Sequence, residues 1–235
     1  MQAEDFLAGQ VILIDKPLTW SSFQAVNKLK YVLKRKFNLA KTFKIGHAGT
    51  LYPLATGLLI VCTGKFTKRI TEIQAQTKEY TGTITVGATT PSYDLETEIN
   101  ATFPIVHISD DIIQETTQQF LGEILQQPPV FSAIKKDGKR LYERARAGEE
   151  VEIAFRKTTI YEFEITRIAL PEIDFRVSCS KGTYIRSLAF DFGKALQSGA
   201  HLSALRRTKI GAYSVDDGIS PKEFEEFYNG NDEQL

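Results

Sequence analysis

The sequence predicts an α+β fold, in which strands are interspersed with amphipathic helices. Two periodicities carry that prediction. Residues 78–87 (KEYTGTITVG) alternate as a half-buried strand, and residues 151–156, 159–168 and 173–180 also read as strands. Val26, Leu29, Leu33 and Phe37 recur at helical spacing, as do Leu188, Phe192 and Leu196. A chain of 235 residues makes one large domain or two small ones, and 42% apolar with 25% charged residues suits a protein with a proper core.

In chain order, residues 10–15 read as a strand that ends at Lys16 and Pro17. Ser21 and Gln24 have capping-box spacing and open a helix. Its apolar stripe faces the core, and its other face carries Lys28, Lys30, Lys34, Arg35 and Lys36. A glycine-rich loop, residues 46–57, leads into an apolar strand at 58–62, and residues 63–70 read as a basic turn. Residues 89–97 form a polar loop holding Pro91, Asp94 and Glu96. Ser109 caps a helix running to Leu121, with Gly122 as its terminator. Lys181 and Gly182 make a turn before a helix at 183–196. Residues 202–213 return as a strand carrying Arg206, Arg207 and Lys209, and residues 221–228 form a short acidic helix. There is no internal repeat and no low-complexity linker.

Composition excludes some classes. The longest apolar run, residues 58–62, is far too short to span a membrane, and the acidic start MQAEDFLAG lacks an export pattern, so the expected location is cytoplasmic. Cys62 and Cys179 fall in strand-like segments and read as buried, reduced thiols. Neither has the spacing of a zinc site, so no metal is expected. The formal net charge is zero, but its distribution is uneven. Lys16 to Thr71 holds eleven Lys or Arg and no acid, whereas Asp216 to the end holds seven acids and one Lys. A basic half with an acidic tail suits a polyanion-binding face, and a solvated basic helix surface accounts for the same residues.

Residues 46–57 read GHAGTLYPLATG. Pro53 fixes its own φ and keeps Tyr52 out of the α region, so Tyr52 is expected to be extended, its side chain directed outward from a tight loop. A plain connector between two strands has the same composition. The string also resembles the GH(T/A)GTLDPLATG motif of the TruB-type tRNA pseudouridine-55 synthases, with eleven of twelve positions matching. The remaining position holds that family's catalytic aspartate, and here it is Tyr52. KPLTWSS resembles the family's KPxGxTS, with Thr19 in place of the glycine. QPPVFSAIKKDGKRLYERARAG resembles its QxPPxxSAxKxxGxRxYExAR block, and CSKGTYIRSL is close to the segment carrying its invariant arginine.

The resemblance covers residues 10–213. It implies a pseudouridine synthase fold, a mixed, mainly antiparallel sheet with flanking helices and a central active-site cleft. It implies a catalytic domain over 1–215, in a monomer. Many family members carry a further C-terminal RNA-binding (PUA) domain, but the roughly twenty residues after the last strand are too few for one, so 216–235 is expected to be a short acidic helix or tail, with no PUA domain. The implied activity is isomerisation of a flipped uridine in the T loop of tRNA, with no cofactor. The base must leave the stack for a side chain to reach it.

The family's chemistry then assigns roles by position. Its nucleophile is a carboxylate ionised near pH 4, whereas the Tyr52 phenol ionises near pH 10, so this chain is expected to be impaired or inactive. The family arginine pairs with that carboxylate; Arg186 is expected to turn instead to a backbone carbonyl, a water or a bound anion. Tyr80 matches a tyrosine that stacks on the target base, and by its strand alone it reads as core packing. Tyr184 and Leu205 match pocket-lining positions, and His47 matches a histidine that inserts into the T loop. Lys16 matches a lysine that supports the nucleophile loop, with phosphate contact as the alternative. Lys65, Lys68, Arg69, Lys135, Lys136, Arg140, Arg206 and Arg207 are the expected RNA contacts. A non-catalytic tRNA-binding protein or RNA-folding chaperone is the other reading of the same residues.

Overall fold

The computed structural model describes residues 1–132, 135–136, 139–140, 147 and 153–229. Its first elements are α1 (Ala3–Ala8), β1 (Val11–Lys16), α2 (Ser22–Phe37), β2 (Ile45–His47) and β3 (Ala55–Thr63). A 3-10 helix (Gly64–Arg69), α3 (Ile70–Ala75), β4 (Lys78–Val86), β5 (Ala88–Thr89), β6 (Ala101–Thr102), α4 (Asp110–Gln118) and β7 (Gly122–Gln126) follow. Then come β8 (Lys135–Lys136), β9 (Lys139–Arg140), β10 (Arg156–Ala169), β11 (Glu172–Cys179) and α5 (Ile185–Ala195). The last are β12 (Ala200–Ile210), β13 (Tyr213–Ser214), a 3-10 turn (Val215–Asp217) and α6 (Pro221–Asn229). The fold is α+β, and the sheet pairings are mostly antiparallel. The chain divides into two compact units, Met1–Tyr80 with Arg206–Leu235, and Thr81–Leu205.

In the first unit the strand order is β1–β3–β12–β4, each of the last two contributing its near end. β1 and β3 run antiparallel from Val11↔Cys62 to Lys16↔Gly57, and β2 pairs with the far end of β3. β3 is buried on both faces, which is why its sequence is continuously apolar rather than alternating. Leu59 and Val61 point to one core, against Leu29 and Leu33 of α2, Phe6 of α1 and Phe224 of α6. Leu58, Ile60 and Cys62 point to the other, with Ala48, Ile73 and Ile210. Ser21 caps α2, and Gln24 completes the capping box as the sequence predicts.

In the second unit the order is β12–β4–β11–β10–β7. β10 and β11 form a long hairpin, Ile160↔Cys179 to Ala169↔Glu172, and β7 pairs with the start of β10. Phe163, Phe175, Phe192 and Phe120 pack edge-on or tilted, with ring centroids 5.4–6.3 Å apart. Phe192 comes from α5, so this cluster fixes that helix to the sheet.

Several expected elements differ. The basic turn at 63–70 is a 3-10 helix running into α3, where burial of Ile73 supports a helix too short to persist alone. α1 has no expected counterpart and rests on one buried residue, Phe6. The helix capped by Ser109 stops at Gln118, and Gly122 at φ +85° opens β7 rather than ending the helix. Residues 153–155 are not a strand, and residues 151–152 lie outside the described residues. The strand expected over 202–213 stops at Ile210 and resumes as β13 after a turn. Thr89, Thr90, Ser92 and Asp94 of the polar loop at 89–97 are buried, and hydroxyls of the loop bond its own backbone: Thr90 Oγ1 donates to the Asp94 carbonyl (2.6 Å), and Ser92 Oγ does the same (3.1 Å).

Candidate active site

Within the first unit, residues 46–57 form a loop fixed from several sides. Ser22, the first residue of α2, clamps the Leu51 peptide: its Oγ donates to the Leu51 carbonyl (2.9 Å) and accepts from the Leu51 N–H (2.8 Å). The Thr19 N–H donates to the Pro53 carbonyl (2.8 Å). Tyr52, half-buried, stands between these two grips. The loop closes through the Ala55 N–H on the Tyr52 carbonyl (3.1 Å). Thr19, where the family motif has glycine, adopts φ +69°, so the left-handed turn is kept with a residue that resists it.

Two buried cations brace this loop. The Lys16 ammonium donates to the carbonyls of Pro17 (2.8 Å) and Trp20 (2.6 Å), shaping the turn from which Thr19 reaches Pro53. Burial, with the Arg207 charge added, pulls its pKa down to about 8. Lys16 is 0% exposed, so it supports the loop, and the alternative of a substrate phosphate contact is corrected. Arg207 is 2% exposed, with Nε donating to the Leu58 carbonyl (2.8 Å) and Nη2 to that of Gly49 (3.1 Å). It is therefore an internal brace, and the expected RNA contact is corrected. The fit is tight: Gly57 sits at φ +102°, and a Cβ there would collide with the Arg207 carbonyl. A glycine is needed at 57 because another strand's backbone passes against it.

The other predicted residues of this unit sit on several elements. His47 ends β2, and burial, with Arg207 nearby, holds its pKa below the ordinary value, so the ring is neutral at pH 7. Tyr80 is the third residue of β4 and half-buried. Arg206 is bound bidentately to Asp15 (2.9 and 2.7 Å). Lys65 and Lys68 are exposed on the 3-10 helix, and Arg69 lies over the Phe66 ring and 3.6 Å from Glu72. The side chains of Lys135, Lys136 and Arg140 lie outside the described residues.

In the second unit Arg186, on the first turn of α5, is 7% exposed, not a surface residue. Nη2 donates to the Phe131 carbonyl (2.7 Å), and Nη1 to the Ser92 carbonyl (3.3 Å) and to Asp94 Oδ2 (3.2 Å). The backbone carbonyls match expectation; the carboxylate partner was not foreseen. Asp94 is 1% exposed, and its other oxygen accepts the Glu96 N–H (3.0 Å). Nothing in the sequence marks Asp94 beyond its place in a polar loop, though a buried arginine requires an anion or several carbonyls. Tyr93 beside it takes φ +63° and stacks on Phe190 of α5, centroids 4.0 Å apart. Gln126 holds Tyr184 by both atoms of its peptide: Nε2 donates to the carbonyl (3.0 Å), and Oε1 accepts the N–H (2.7 Å). Tyr184 is the N-cap of α5 but its side chain makes no capping bond, so Gln126 sets the start of the helix carrying Arg186. Leu205 is buried. Among the described residues no three His, Cys, Asp or Glu converge on a metal position, and no helix is long and apolar enough to cross a membrane.

Comparison with solved structures defines the class first. A chain in a Cbf5–Nop10–Gar1 complex is similar with TM-score 0.74 and 28% identity, covering 100% of this chain and 59% of that one. A chain in an H/ACA RNP bound to a substrate RNA containing 2'-deoxyuridine has TM-score 0.70 and 27% identity, covering 98% and 56%. This chain thus spans under two thirds of either, and its fold is that of the pseudouridine synthases. Residues 34–185 match the family model "TruB family pseudouridylate synthase (N terminal domain)", and residues 186–235 match "tRNA pseudouridylate synthase B C-terminal domain". A tRNA pseudouridine synthase B of Flavobacterium johnsoniae is 73% identical over 226 residues, 96% of this chain and 99% of the relative. One of Parabacteroides distasonis is 55% identical over 227 residues, 97% and 96%. The chain belongs to the TruB family of pseudouridylate synthases, and by family it is an isomerase.

Proposed function

We propose that this chain is a monomeric, cytoplasmic protein that binds the T stem-loop of tRNA around a flipped uridine, and that Tyr52 leaves its pseudouridine synthase activity impaired or absent. One observation carries the reading. The loop that resembles the family's nucleophile motif is braced by Ser22, Lys16 and Arg207, while the residue at the nucleophile's position is a phenol. In this reading Tyr80 stacks on the flipped base, and Arg186, Tyr184 and Leu205 keep the roles that the resemblance gives their positions. His47, neutral at pH 7, fills loop space rather than supplying charge. A phenol near pKa 10 is protonated at neutral pH and bulkier than a carboxylate, so it neither attacks the ribose or base nor leaves the pocket its volume.

Tyr52 equally favours the alternative that this chain only binds RNA. The test assays uridine isomerisation in an unmodified T-arm RNA by the native chain and by Tyr52→Asp. Tyr52→Asp is expected to turn over, with the native chain slower by about three orders of magnitude or more. An inert Tyr52→Asp that binds correctly folded RNA leaves the binder as the function. A native chain as fast as Tyr52→Asp removes the impairment and places the nucleophile elsewhere.

A further inference from the structure

We propose that Lys41 and Lys44 join Lys65 and Lys68 in one phosphate-binding cluster for the backbone of double-helical RNA, adjoining the loop that starts at His47. The inference rests on the RNA-binding reading above and extends it from loop to stem. The connector between α2 and β2 buries Leu39 and Phe43 in the core, which leaves Lys41 and Lys44 exposed. The Gly64 N–H donates to the Lys44 carbonyl (2.9 Å), so the 3-10 helix starts directly beside Lys44. In a 3-10 helix residues three apart eclipse one another, so Lys65 and Lys68 project from one side. Lys44 precedes His47 by three residues along an extended strand, about 10 Å of chain.

The bland account is that exposed lysines keep a protein soluble. Against it stands how this molecule treats several of its other cations, though not Arg156 or Lys181. Lys157 pairs with Glu123 (2.8 Å), Arg167 with Glu172 and Asp174 (3.0 and 2.6 Å), and Arg176 with Glu162 and Glu164 (2.7 and 2.9 Å). Among the described residues none of Lys41, Lys44, Lys65 and Lys68 has an acidic partner, and no acid occurs between Lys16 and Thr71. Three basic residues in the last turn of α2 answer to that helix's dipole; Lys41, Lys44 and Lys65 lie outside any helix end, and Lys68 is in the last turn of a 3-10 helix that runs on into α3. Unpaired like charges on two segments joined at the Lys44–Gly64 bond match a polyanion, and evenly spaced phosphates of a helical stem suit lysine, a point charge without planar geometry.

The experiment measures binding of an unmodified tRNA transcript and of an isolated T-arm hairpin across a range of monovalent salt. It compares the native chain, Lys41→Gln/Lys44→Gln and the paired-surface control Lys157→Gln, with melting curves establishing that each is folded. For the transcript the double variant is expected to lose about 2 from the log–log salt slope, and at least about tenfold in affinity at low salt, while Lys157→Gln follows the native chain. An equal loss on the hairpin assigns the cluster to the T stem, and an unchanged hairpin assigns it to helices beyond. A double variant with the native slope on both RNAs overturns the cluster alone. A native chain that binds neither RNA at low salt overturns the RNA-binding reading with it.

Discussion

Lys16 and Arg207 show what single residues concealed. The resemblance makes Lys16 a loop support with phosphate contact as the alternative, and Arg207 on its basic strand is an expected RNA contact, yet both charges lie inside, bonded to backbone carbonyls. The sequence shows a charge but not which side of a strand it takes when neighbouring carbonyls can satisfy it. Burial of Lys16 has a measurable consequence. Its folded pKa is about 8 against 10.5 for an unperturbed lysine. Below pH 8 both states hold the proton; from pH 8 to 10.5 the unfolded chain keeps the proton that the folded chain has released, so stability from this group rises with pH. In urea unfolding, the native chain is expected to gain up to about 3 kcal/mol relative to Lys16→Met across that window, on top of a constant offset from the lost hydrogen bonds. Parallel stability–pH curves for the two would show that the ammonium is not held in a desolvated site.

Elements were legible where their cause is local. The start of α2 follows from Ser21 and Gln24, its buried stripe from Val26, Leu29 and Leu33, and the turn at Lys181 and Gly182 from a glycine at φ +84°. α1 and α3 were not, because six residues each carry too little periodicity, and a single buried side chain, Phe6 or Ile73, supplies their support from elsewhere in the fold. The Ser21-Ser22 pair separates the two kinds of information. Ser21 ends a helix in a readable way; Ser22, one residue on, clamps Leu51 across 29 residues. Ser21→Ala is expected to cost about 1 kcal/mol, as for a lost N-cap. Ser22→Ala leaves the buried Leu51 N–H and C=O both without the hydroxyl, and is expected to cost about 2–4 kcal/mol. Guanidinium unfolding of the two single variants decides this; a smaller cost for Ser22→Ala would show that the loop around Tyr52 does not depend on the clamp.

For the molecule as a whole, the uneven charge was legible and the division into two units was not. β4 and β12 each run from one unit into the other without a break in composition, so no linker marks the boundary. The charge pattern, by contrast, survives folding: Lys157, Arg167 and Arg176 of the second unit find acids across the sheet, and the lysines around the β2–3-10 junction of the first do not. A surface kept unpaired for a polyanion carries repulsion while no polyanion is bound. Neighbouring like charges cost a few tenths of a kcal/mol each. Lys41→Gln/Lys44→Gln is therefore expected to be more stable than the native chain by about 0.5 kcal/mol at about 0.01 M salt, melting roughly 1–2 °C higher. At about 1 M salt, where screening acts over about 3 Å, the difference is expected to vanish. A double variant that melts lower at both salt concentrations would mean that the two lysines hold the connector in place by packing, and that their charge is incidental to this face.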